Sequence, residues 1–145
     1  MTANKQQRLL QQEPIKWWRT LPADGFDSSR KSALRATLST IAIFDEPTWR
    51  SAAGGSAAAA IGLALRLNPS RSTSAAYDLI VTSLAICAAD GNAAACIVMS
   101  HVLRNIPGAG KAEARIATSW LALAFNEALS RRAQKPTSAE QKGVA

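Results

Sequence analysis

Apolar residues recur along this chain at helical spacing, and no stretch alternates apolar with polar positions over the length of a strand. Pro14 to Leu21 predicts a short helix. Pro14 sits in its first turn, where a missing N–H costs little, and Pro22 ends it. After the loop Ala23-Asp24-Gly25-Phe26, Asp27 or Ser28 supplies an N-cap. From Ser28 to Phe44, Leu34, Leu38 and Ile41 define one buried stripe. Asp45-Glu46-Pro47 opens a helix carrying Trp49 and Arg50 as far as Gly54-Gly55, and Ser56 caps an Ala-rich helix ending at Asn68-Pro69. Further helices are expected over Thr73 to Ala89, Asn92 to Arg104 and Ala109 to Arg132, separated by Asp90-Gly91 and by Asn105-Ile106-Pro107-Gly108. The expectation is an all-α bundle of about five to six helices over 14–132, with a flexible segment at 1–13 and a disordered polar tail at 133–145.

Two of these helices carry unusual patterns. Asn92 to Arg104 has no charge before Arg104, which predicts the most buried element. The last helix is apolar on two sides: Ile116, Trp120 and Leu123 line one, and Leu121, Phe125 and Leu129 the other. A surface helix of a monomer needs only one apolar stripe, so the second belongs to the bundle interior or to a neighbouring subunit. Trp17 and Trp18 project about 100° apart on a helix. One stripe cannot bury both equally; at least one packs in the core, and Trp18 is assigned to a subunit interface.

An internal echo runs at an offset of 36 residues: Gly55-Ser-Ala-Ala-Ala-Ala-Ile61 matches Gly91-Asn-Ala-Ala-Ala-Cys-Ile97, and Thr82-Ser83 matches Thr118-Ser119. Ile80 aligns with Ile116, and Ala88 with Ala124. This spacing resembles the Sel1-like or tetratricopeptide class of helical-hairpin repeats. Small residues that let paired helices approach also account for the Ala positions, and fewer than three units are visible.

Charge narrows the partners. Seventeen Lys and Arg against ten Asp and Glu give a net charge of +7 and a pI near 10.1. That excess favours an anionic partner, nucleic acid first. The candidate contacts are Arg30, Lys31, Arg35, Arg50, Arg66, Arg71, Lys111 and Arg115. Lys31 with Arg35, and Lys111 with Arg115, are i, i+4 pairs, and Arg131-Arg132 close the last helix. Arg30 in the first turn of its helix is as well placed to pair with Asp24 or Asp27, and Arg131 with Glu127. None of these stretches alternates basic and aromatic residues as a base-stacking platform would, so phosphate contacts are the expected mode.

Residues 4–12 are polar where a secretory signal would be apolar, and the charge-free runs Ser51–Leu65 and Gly91–Leu103 are too short to span a bilayer. A soluble cytoplasmic protein without a membrane partner is expected, with Cys87 and Cys96 as small buried thiols rather than a disulfide. No catalytic set stands out. His101, the only histidine, lies on the most apolar helix and is expected to be a core residue; two Cys and one His offer no metal-ligand spacing. Pro107-Gly108-Ala109-Gly110-Lys111 lacks the first Gly of a phosphate loop, and Ala112 stands where Ser or Thr would hold Mg²⁺. The expectation is no enzyme, no metal and no cofactor.

The stretch Trp17-Trp18-Arg19-Thr20-Leu21, followed by a Gly-containing loop and Arg30-Lys31-Ser32-Ala33-Leu34-Arg35, resembles the N-terminal end of CasB-like small subunits of class 1 CRISPR surveillance complexes, over residues 15–40. The resemblance implies a non-catalytic all-helical subunit, in several copies, that contacts guide RNA and target backbones and packs against a repeating backbone subunit and its own neighbours. A divergent type I or type IV member would fit. The C-terminal half departs from it, lacking the Trp-, Arg- and Tyr-rich ending of type I members. The alternative is a Sel1-like helical-hairpin adaptor for a protein partner. A free-standing DNA-binding regulator ranks third, because no recognition helix begins with base-reading side chains.

Overall fold

The computed structural model describes residues 13–43 and 46–134; expectations for residues 1–12, Phe44, Asp45 and 135–145 lie outside them. Among the described residues there are six α-helices, three short 3-10 turns and no strand. The helices are α1 (Ser28–Ser39), α2 (Trp49–Ala53), α3 (Ala57–Leu65), α4 (Ala75–Ala89), α5 (Ala93–Arg104) and α6 (Lys111–Gln134). The chain is all-α, as its periodicity predicts.

Asp27 and Ser56 cap helices as the sequence predicts, and Ser74 and Asn92 cap two more. Pro14 opens a 3-10 turn over Pro14–Arg19, and the Asp27 side chain accepts from the Arg30 N–H at the start of α1. Ser56, Ser74 and Asn92 each accept the N–H three residues on, from Ala59, Tyr77 and Ala95. Each satisfies a donor that a helix start leaves without a partner.

Several boundaries differ from expectation: α2 begins only at Trp49, after Glu46 and Pro47, and α6 runs to Gln134, past Arg132 into the expected tail. α1 stops at Ser39 instead of running on to Phe44, and Ile41, still packed on the core, lies beyond its end. Thr37, Ser39 and Thr40 turn their hydroxyls back onto the carbonyls of Ala33, Ala36 and Thr37, competing with the next helical turn. α3 ends at Leu65, three residues before Asn68, which instead caps the 3-10 turn Pro69–Arg71.

The central helix is α4, not α5. Every residue from Tyr77 to Ala88 is buried, and α4 touches α1, α2, α3, α5 and the Pro14–Arg19 turn. α5, although uncharged over most of its length, leaves His101 exposed and Ile97 55 % exposed. Absence of charge does not by itself place a helix inside. α4 holds its one charge, Asp78, at the centre because the fold supplies partners for it.

The 36-residue echo is a repetition of backbone geometry. Gly55 and Gly91 both adopt positive φ (106° and 101°), a conformation that favours glycine. Their N–H groups bond to the carbonyls of Ala52 and Ala88, and the next residues, Ser56 and Asn92, bond to Ser51 and Cys87. This is the double bond of a Schellman helix end, made twice, each time followed at once by a capped helix. Each turn thus opens a helical hairpin, α3–α4 after Gly55 and α5–α6 after Gly91, with α5 packed against α3, α4 and α6.

Candidate interaction surfaces

The Trp-Trp-Arg stretch is an internal clamp. Trp18 is fully buried, its indole Nε1 donating to Asp78 Oδ1 at 3.0 Å. Arg19 Nε donates to the same oxygen at 2.9 Å, its Nη2 bonds the Ser72 carbonyl, and its guanidinium lies 4.4 Å from the centre of the Trp18 ring. Tyr77 packs beside Trp18 with ring centroids 6.0 Å apart. One turn further along α4, the Thr82 hydroxyl donates to the Ile15 carbonyl at 2.8 Å. The N-terminal turn thus closes the outer face of α4 and neutralises its only charge. Trp18 is core and does not reach a neighbouring subunit; Trp17 is half-buried, with the Arg30 guanidinium 5.9 Å from its ring.

Three of the eight candidate phosphate contacts are engaged within the fold. Lys31 Nζ sits 2.9 Å from Asp90 Oδ1, and Arg35 pairs with Asp90 Oδ2, so one carboxylate at the end of α4 ties α1 to it through both cations. Arg30 donates to the Gly25 carbonyl at 2.8 Å and lies 3.6 Å from Asp27, one of its two expected acidic partners. Arg66 makes longer contacts, 3.5 Å to Glu46 and 3.4 Å to the Gly62 carbonyl. Arg50, Arg71, Lys111 and Arg115 are exposed and make no ion pair among the described residues. The last two stand on the first turns of α6 and Arg50 on α2.

Other candidates resolve simply. His101 is exposed on α5, where Asn105 Nδ2 contacts its Nδ1 at 3.2 Å and its carbonyl at 2.7 Å; it is not a core residue. Ala95, Cys96, Met99, Val102 and Leu103 are the buried apolar residues of α5, whereas Ile97, one turn before His101, is exposed with it. At Pro107–Lys111, the Glu113 carboxylate accepts the Gly110 N–H at 2.8 Å and fills the place a phosphate would take. That bond holds the Glu113 carboxyl below its ordinary pKa. Arg131 reaches the Gly91 carbonyl at 3.4 Å rather than Glu127.

Cys87 and Cys96 are free and buried. Burial, reinforced by the Glu127 carboxylate, pushes the Cys96 thiol up to about 11, and burial likewise raises Cys87. Both are thereby kept from the thiolate form that nucleophiles and metal ligands need. Among the described residues no three His, Cys, Asp or Glu side chains group as a metal site, and no helix is long and apolar enough to cross a membrane.

The second stripe of α6 is bare. Ile116, Ala117, Trp120 and Ala124 are buried, Leu121 is half-buried, and Phe125 and Leu129 are 70 % and 62 % exposed. Sequence reasoning foresaw that stripe but missed Ile97 and the Asp78 clamp. A lone carboxylate in an otherwise apolar helix was the available signal for the clamp, since a buried charge requires a partner.

No family model, curated protein or solved structure matches the chain.

Proposed function

We propose that the chain is a non-catalytic helical-hairpin scaffold that binds a protein partner. The observation carrying this reading is the twice-made Gly55 and Gly91 turn, which opens each of two helix pairs, α3–α4 and α5–α6, at a period of 36 residues. Hairpins of this kind stack so that each buries the face of its neighbour, and the stack offers extended surfaces to other proteins. A last hairpin with a bare apolar stripe supports the same reading, because a free monomer gains nothing from exposing Phe125 and Leu129.

The small-subunit reading, with guide RNA, target strand, a backbone subunit and further copies as partners, is the second proposal. It is favoured by the +7 net charge and by four of the eight candidate contacts, Arg50, Arg71, Lys111 and Arg115, which are exposed and make no ion pair among the described residues. It ranks second because Lys31 and Arg35 are engaged with Asp90, and the Trp-Trp-Arg stretch that carries the resemblance is occupied with α4.

Purification of the tagged full-length chain from the cells that express it, with and without nuclease, separates the two. The scaffold retains a stoichiometric protein partner after nuclease treatment and carries no nucleic acid. Copurified RNA together with a nuclease-sensitive partner would overturn it in favour of the small subunit.

A further inference from the structure

The bare stripe of α6 has a defined composition. At about 100° per residue, Lys111, Arg115, Leu121, Phe125, Leu129 and Arg132 all project within about 60° of Thr118. Apolar residues occupy the middle, and cations stand at both ends. Neither acid of α6 shares this side. Glu113 is turned to the Gly110 N–H, and the Glu127 carboxyl packs against Gly91, where an added Cβ would meet it at 3.3 Å.

α5 extends the stripe. Arg104 Nη2 donates to Thr118 Oγ1 at 3.2 Å, so the Arg104 side of α5 faces the Thr118 side of α6. Ile97, seven residues before Arg104, lies within about 20° of it on the helix. Its 55 % exposed side chain therefore borders the same surface as Phe125 and Leu129. Arg104 is bonded only to the hydroxyls of Ser100 and Thr118, so its charge is also uncompensated by any described carboxylate.

We propose that this surface of the α5–α6 hairpin docks an acidic amphipathic helix of another protein. The inference rests on the scaffold reading and names its partner's chemistry. Charge selects the occupant: apolar residues framed by cations, without an acid, complement a helix whose apolar stripe is flanked by Glu or Asp. A second copy of this chain would bring the same cations against them. From Lys111 to Arg132 the stripe is about 30 Å long at 1.5 Å per residue, enough for a helix of about 20 residues.

The test places a photoreactive phenylalanine analogue at position 125 of the full-length chain in its native cells, with crosslinked segments identified by mass spectrometry. The expected product is a segment of one other protein, net negative, with apolar residues three and four apart. Leu129→Asp should reduce that crosslink by about tenfold or more, as loss of a central apolar anchor does, while the thermal melt of the chain is unchanged. Crosslinks mainly to lipid, to nucleic acid, to a second copy or to a basic segment would overturn the proposal, as would none at all. A nuclease-resistant protein partner retained undiminished by Phe125→Asp would remove this docking site and leave the scaffold standing. Absence of any protein partner would remove both.

Discussion

α4 and α6 are the second helices of two like hairpins, yet the same positions meet opposite surroundings. Thr82 is 1 % exposed and its hydroxyl donates to Ile15 of the N-terminal turn. Thr118, 36 residues on, is exposed, and its hydroxyl donates to its own helix at the Ala114 carbonyl. Ala85 and Ile86 are buried on α4, whereas their counterparts Leu121 and Ala122 are half-buried and exposed. At the next turn the contrast is sharpest: Ala89, partly buried, corresponds to Phe125, 70 % exposed. The outer side of the first hairpin has been given a cover, the Trp18-bearing turn and α1. The equivalent side of the second has larger apolar residues and no cover within the described chain. A repeat thus shows which surface is covered and which is bare among the described residues.

The covered side should be the fragile one. Asp78→Ala removes the acceptor shared by Trp18 and Arg19 and leaves Arg19 facing a half-buried site without its carboxylate. Breaking such a pair from one side costs about 3–5 kcal/mol, which a denaturant melt followed by circular dichroism would read. A loss below about 1 kcal/mol would show that the N-terminal turn is not an integral cover.

A smaller effect is expected where α1 meets the end of α4. Lys31→Glu with Arg35→Glu sets two new carboxylates against Asp90 and should cost about 1–2 kcal/mol, since exposed pairs are each worth a fraction of that. Asp90→Ala should cost less than the double reversal. The same double variant discriminates the two functional readings. If Lys31 and Arg35 were phosphate contacts, the folded fraction would bind single-stranded nucleic acid with a salt slope shallower by roughly one to two units. On the scaffold reading the slope does not change.

The smallest effect is at the start of α6. The pKa of Glu113 is depressed by the Gly110 N–H, so its contribution is present above the ordinary carboxylate range and is lost as pH falls through the folded value. Wild type should therefore be slightly more stable than Glu113→Gln at neutral pH, and the two should converge in acid. A difference that persisted in acid would assign the effect to packing rather than to charge.

How much of this was legible in the sequence follows from what each residue type is asked to do. Helices, caps and the 36-residue period are set by neighbours in the chain, and Asp27, Ser56, Asn92, Gly55 and Gly91 all do what their types predict. Burial is set by what packs on a helix from elsewhere. Periodicity could not tell that α4, with Asp78, would be central, or that His101 would face outward. The same limit applied to the cations. Lys31 and Arg35 look free as an i, i+4 pair, and only the fold brings Asp90, more than fifty residues away in sequence, against both. Trp18 was misassigned to an interface for the same reason: its partner is sixty residues distant.

The contrast between covered and bare hairpins is tested most directly by one substitution made at both equivalent threonines, Thr82→Asp and Thr118→Asp, with thermal unfolding and partner retention measured together. Thr82→Asp buries a second carboxylate one turn from Asp78 and should unfold the chain or cost about 3 kcal/mol or more. Thr118→Asp lies in the open beside Arg104 and Arg115 and should leave stability within about 0.5 kcal/mol. It should nonetheless weaken retention of an acidic partner by placing a like charge in its path. Equal destabilisation at both sites, or full partner retention by a stable Thr118→Asp chain, would contradict the account.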